Sequence, residues 1–78
     1  MREPIKDKGR LEHILECINN VNEFAEGKTF EQIEGDKMRY FAIVYQLVII
    51  GEAANMLTKG FREARPQTPW REIVNMRN

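Results

Sequence analysis

One cysteine, one histidine and no long apolar run set the first limits on this chain of 78 residues. A lone Cys17 has no partner for an intramolecular disulfide, and the N-terminus lacks the basic, apolar, small-residue order of a secretory signal. A reducing, cytoplasmic setting is the resulting expectation. The apolar run Leu47 to Ile50 is followed within two residues by Glu52, far short of the roughly 20 apolar residues a membrane span requires. Neither sign of charge is in excess, with 12 basic residues against 12 acidic, so no strong overall field is available to steer a partner. The placement is uneven, however: Lys59, Arg62, Arg65, Arg71 and Arg77 face only Glu63 and Glu72, leaving the C-terminal end at +3 and residues 1–58 at −3. That asymmetry permits a nucleic-acid contact without demanding one. There is no internal repeat, low-complexity tract or sustained heptad pattern. A chain of this size forms one small domain, residues 1–78, and buries only about 60% of its extended surface, so stability must come from tight packing or from a partner.

What is present is helical periodicity. The stretch Arg39 to Leu57, RYFAIVYQLVIIGEAANML, has only Gln46, Glu52 and Asn55 as strongly polar residues after Phe41, and they lie on different sides of a 3.6-residue period. A helix with no polar face is expected at the centre of a bundle, wrapped by the others. Gly51 interrupts it at a cost of about 1 kcal/mol relative to Ala, which is tolerated most simply where another backbone passes close by. Glu52 emerges from an apolar stripe with Phe41, Tyr45, Val48 and Met56. A carboxylate there is hydrogen-bonded, open to a cleft, or raised in pKa, and Arg77 is a candidate partner.

Around that helix the chain is punctuated. Met1 to Gly9, broken by Pro4 and Gly9, reads as an arm. Arg10 to Ala25 reads as an amphipathic helix with Leu11, Ile14, Leu15, Ile18, Val21 and Ala25 on its packed face and Gly27 as its C-cap. The opposite flank, His13, Cys17, Asn20 and Phe24, is unusually apolar and suits a second contact surface such as a dimer seam. His13 and Cys17 have the i, i+4 spacing of metal ligands, but no other His or Cys completes an N/S site, and no third group orients a Cys/His nucleophile pair. They read as structural, with no metal and no cofactor expected. Thr29 and Gln32 form a capping box opening a short turn, Gly35 closes it, and Asp36 caps the central helix, which is expected to end at Gly60. Phe61 to Thr68 is a basic connection with room for a helical turn. Thr68 as N-cap and Pro69 at N1 then open a last helix whose apolar face, Trp70, Ile73 and Val74, is still incomplete at Asn78. The fold expected is an all-α, small up-and-down helical bundle cut within its last helix.

The segments RLEHILECINNVNEF, DKMRYFAIVYQLVIIGEAANML and PQTPWREIVNMRN, in this order and spacing, resemble the HepT-like branch of the HEPN superfamily. IIGEA at Ile49 to Ala53 and PWREIVNMRN at Pro69 to Asn78 carry the resemblance most specifically. It implies a HEPN-like helical bundle that forms a homodimer, with an R-x4-H-x-Y motif from each protomer facing a shared cleft. It further implies an endoribonuclease toxin acting on RNA and neutralised by a minimal nucleotidyltransferase antitoxin that modifies the motif tyrosine with AMP. Arg77 matches the motif arginine and Asn78 the polar residue that follows it, with Glu52 a site-adjacent candidate. The motif His and Tyr would fall four and six residues beyond Asn78. In metal-independent RNA cleavage the ribose 2′-OH attacks the adjacent phosphorus. The step needs a proton shuttle, suited to histidine, and fixed positive charge on the phosphorane oxygens, suited to arginine. His13 matches no motif position. A non-catalytic dimeric helical module that binds a nucleotide or docks a nucleotidyltransferase is the competing reading.

Overall fold

The computed structural model describes residues 4–77, with side chains from Asp7 onward. Its elements are α1 (Pro4–Ala25), α2 (Phe30–Gly35), α3 (Lys37–Asn55), α4 (Lys59–Glu63) and α5 (Trp70–Asn75), and no strand occurs among the described residues. The all-helical bundle is built on α1 and α3, with α5 and α2 packed on α3. Three polar ties fix α1 and α3 antiparallel. Asp7 meets Thr58, Asn20 Nδ2 donates to Gln46 Oε1 at 3.2 Å, and Arg39 Nη1 donates to the Phe24 carbonyl at 2.6 Å.

Local signals set most of the boundaries. Gly27 takes φ 71°, the left-handed conformation that ends α1. The Thr29 hydroxyl accepts from Gln32 N–H while the Gln32 side chain accepts from Thr29 N–H, so the capping box is complete. Asp36 then accepts from the Arg39 backbone N–H and caps α3.

Four expectations are corrected. The N-terminal arm is helical from Pro4, because proline in a first turn forfeits only an N–H that has no intrahelical partner. Gly9 lies inside α1 with open space around it, and its modest propensity cost is outweighed by the anchoring of Asp7. The central helix stops at Asn55, and Gly60 lies within α4. The cause is Thr58. Its backbone N–H and hydroxyl donate to the two Asp7 oxygens at 2.9 and 2.7 Å, while the same hydroxyl accepts from Phe61 N–H and starts α4. Helix α5 begins one residue later than expected: Pro69 occupies the cap without a side-chain bond, and Thr68 offers only its carbonyl, to Trp70 N–H. The Trp70 indole holds the preceding loop instead, donating to the carbonyls of Arg62 and Arg65 at 3.1 and 3.0 Å.

The faces of the two long helices also differ from expectation. On α1 the flank with Cys17, Asn20 and Phe24 turns inward, with Cys17 2% exposed, while Leu15 and Ile18 face outward at 59% and 40%. Side chains on α3 choose this rotation, because Gln46 needs Asn20 as a partner and Arg39 needs the Phe24 carbonyl. Nor is α3 wrapped on every side. Ile50, Gly51, Ala53 and Ala54 are buried, but Met38, Phe41, Tyr45 and Met56 stand 85%, 59%, 63% and 56% exposed along one stripe. No helix among the described residues is long and apolar enough to cross a membrane.

Candidate functional site

The site is created by a close crossing. Gly51 is buried in α3, and the end of α5 passes directly over it, so that a Cβ at residue 51 would lie 2.6 Å from the Arg77 backbone nitrogen and 3.0 Å from the carbonyls of Ile73 and Val74. The expectation that Gly51 admits a second backbone is met. The crossing delivers Arg77, two residues beyond the end of α5, to an open cleft of about 420 Å³. Its apolar floor is Ile49 and Ala53 of α3, with Glu52 and Asn55 from the same helix and Met56 from its C-cap. From α1 come Arg10 and His13.

Glu52 and Arg77 both line this cleft. They form no hydrogen bond or ion pair among the described residues, so the expected pairing of Glu52 is not found. Glu52 is exposed, the cleft-facing alternative of those open to it. Asn78 lies outside the described residues. His13 and Cys17 part company: His13 is exposed on the cleft wall, and Cys17 is buried against α3. Burial pushes the Cys17 thiol up, with Glu16 adding to the effect, which keeps it protonated and a poor ligand or nucleophile. Among the described residues no three His, Cys, Asp or Glu side chains come together in a way that could hold a metal ion.

Arg10 was not singled out from the sequence. It is half-buried, and its Nε is fully buried without a hydrogen-bond partner. Only the antiparallel register of α1 and α3 places Arg10 and His13 beside Glu52 and Asn55, and periodicity within α1 carries no trace of it. Asp7, a turn before Arg10, supports the wall from behind. The Thr58 hydroxyl bond, then the Thr58 backbone bond, hold its carboxyl below the usual aspartate value against the opposing effect of burial, with smaller help from the charges of Arg10 and Arg65.

Among the described residues the cleft offers two guanidinium groups, an imidazole and one carboxylate over an apolar floor. That set can bind an anion and contact a flat or apolar moiety beside it.

The sequence model for the family described as Ribonuclease HepT-like matches residues 14–78. "Probable ribonuclease HepT" of Thermococcus cleftensis is 39% identical over 71 residues, covering 91% of this chain and 64% of its own length. Two proteins named "Putative RNase" are similar as well. One, of Methanocaldococcus jannaschii, is 39% identical over 71 residues, covering 91% of this chain and 65% of its own. The other, of Caldanaerobacter subterraneus, is 43% identical over 68 residues, covering 87% and 61%. The chain thus spans a little under two thirds of the length of these relatives. No solved structure matches it.

Proposed function

The chain belongs to the HepT-like ribonuclease family, and from that premise we propose that it is the subunit of a metal-independent endoribonuclease toxin whose RNA-binding cleft is the one holding Arg77. The observation that carries this reading is the Gly51 crossing, which brings the motif-matching arginine to the rim of the cleft. In the reaction, Arg77 holds the phosphodiester and stabilises the oxyanion that develops as the 2′-OH attacks phosphorus. Proton transfer in this reaction is the task of a motif histidine in register with Arg77.

The dimer belongs to the same proposal. The exposed stripe of Met38, Phe41, Tyr45 and Met56 is continuous with the cleft through Glu52 and Met56. A second copy packed on that stripe buries it and sets two Arg77 side chains toward a shared cleft. A minimal nucleotidyltransferase antitoxin is the proposed regulatory partner.

The deciding experiment incubates mixed RNA with EDTA and either the chain of 78 residues or a version extended through a motif His and Tyr in register. The chain alone is expected to bind weakly and not to cut, since general acid–base help contributes roughly 10² to 10⁴-fold. The extended version is expected to cleave, and Arg77→Ala within it to lose about 10² to 10³-fold. Cleavage by the chain alone would overturn this account of the site and point to His13. No cleavage by the extended version would favour a non-catalytic dimeric module that binds a nucleotide or docks a nucleotidyltransferase.

A further inference from the structure

We propose that α1 supplies a second phosphate-holding group, the guanidinium of Arg10, which binds RNA phosphate oxygens in the cleft together with Arg77. The inference rests on the ribonuclease reading and extends it to a residue outside the R-x4-H-x-Y motif.

The first argument is an unmet hydrogen bond. Arg10 lines the cleft and its buried Nε has no acceptor. Buried donors are nearly always paired in folded proteins, so this unpaired one marks Arg10 as a side chain whose Nε is not committed to a partner within the protein. The protein has an obvious acceptor one turn away in Asp7 and does not use it. Both Asp7 oxygens are taken by Thr58, one by its backbone N–H and one by its hydroxyl. That arrangement leaves Asp7 near enough to favour a cation at Arg10 but without an oxygen committed to it.

The second argument is charge. Among the described residues, Arg10 and Arg77 bring two permanent positive charges to the cleft against one carboxylate, that of Glu52. One phosphodiester balances them. Arginine is suited to the task, because its planar fork matches two phosphate oxygens and it cannot shed its proton. The third argument is position. The two guanidiniums come from different elements, α1 and the turn after α5, each of which packs on α3. A phosphate held by both is fixed in orientation as well as in place, whereas Arg77 alone leaves it free to swing. The apolar floor of Ile49 and Ala53 and the exposed His13 imidazole leave room beside the phosphate for ribose or base.

The test uses a 2′-O-methyl oligoribonucleotide, which binds as RNA but cannot be cut through its 2′ position. Binding is followed across a salt series, together with the ¹⁵N–¹H resonance of the Arg10 Nε–H. That resonance is expected to shift saturably during the titration. Arg10→Gln should weaken binding about 10-fold or more, as expected for a lost charge-assisted bond. It should also reduce the slope of log K against log salt by about 0.7, the single-strand value for one phosphate contact. Arg10→Lys should keep the slope while losing part of the affinity. If Arg10→Gln binds like the wild type with an unchanged slope while Arg77→Gln is weakened, the inference fails and the ribonuclease reading stands. If the chain binds no oligonucleotide at all, both fall. Should Arg10→Gln unfold, the wild-type resonance decides: a saturable shift supports the contact and a static signal overturns it.

Discussion

The Arg77 backbone nitrogen sits directly above Gly51, 2.6 Å from where a Cβ on residue 51 would stand. Alanine in a helix is ordinarily favoured over glycine by about 1 kcal/mol. Here the sign reverses. Backbone cannot swing aside as a flexible side chain can, so Gly51→Ala must lift the end of α5 and carry Arg77 away from the cleft. Overpacking of this kind costs about 1–3 kcal/mol. Urea denaturation should show Gly51→Ala destabilised, while Gly9→Ala, with nothing near its Cβ, should gain roughly 0.5–1 kcal/mol. Equal gains in both variants would mean that α5 does not cross where the structure puts it.

A pH dependence follows from Asp7. Its carboxyl is held low by the Thr58 hydroxyl and backbone bonds, so the folded value lies below the unfolded value of about 3.9. The stability contributed is therefore complete above that unfolded value and is lost as pH falls through the folded one. Melting midpoints should decline as pH drops below about 4, and Asp7→Asn should start from a lower midpoint at pH 7 with a shallower acid decline. Parallel curves for the two proteins would contradict the assignment.

Glu52 is exposed and its side chain makes no bond among the described residues, so Glu52→Gln should leave stability within about 0.5 kcal/mol of wild type. Removing its charge takes away the one carboxylate that opposes Arg10 and Arg77 in the cleft among the described residues. Oligoribonucleotide affinity should therefore rise, most at low salt where screening is weakest. A fall in affinity would show that the carboxylate contacts RNA or orders an arginine.

The proposed dimer is probed on its own stripe. Phe41→Glu and Tyr45→Glu place charge on side chains 59% and 63% exposed in the single chain. The folded subunit should barely notice, with changes of about 0.5 kcal/mol or less. Light scattering at micromolar concentration should instead show a dimer for the wild type and a monomer for the double variant. A wild-type monomer that binds no apolar dye would remove the case for self-association.

How much of this could be read from the chain depends on how far apart the interacting residues lie. Gly27, the Thr29 and Gln32 box, Asp36 and the permissive role of Gly51 were legible because each is a local backbone requirement with a residue type to match. The rotation of α1 was not. Leu11, Ile14, Leu15, Ile18 and Cys17 outline two overlapping apolar stripes, and nothing within the helix chooses between them. The choice is made by Gln46 and Arg39, on another element. Arg10 and His13 were unreadable as cleft residues for the same reason, since their neighbours Glu52 and Asn55 lie some forty positions away. The stop at Thr58 depended on an aspartate in a segment that looked like an arm. Of the site itself, Arg77 was singled out by the family resemblance and Glu52 by its place in an apolar stripe, while Asn78 lies outside the described residues.

The bond from Thr58 N–H to Asp7 spans 51 positions, whereas the one from Arg39 to the Phe24 carbonyl spans only 15. Closing the shorter loop loses less chain entropy, so the α1 and α3 hairpin is expected to zip from its Phe24 end and reach Asp7 last. Contacts made after the folding barrier slow unfolding without speeding folding. Asp7 and Thr58 thus act as a latch on the open end of the hairpin. Their loss should shorten the lifetime of the folded chain while leaving its refolding rate nearly untouched, and the same latch governs how long the wall carrying Arg10 and His13 stays in place.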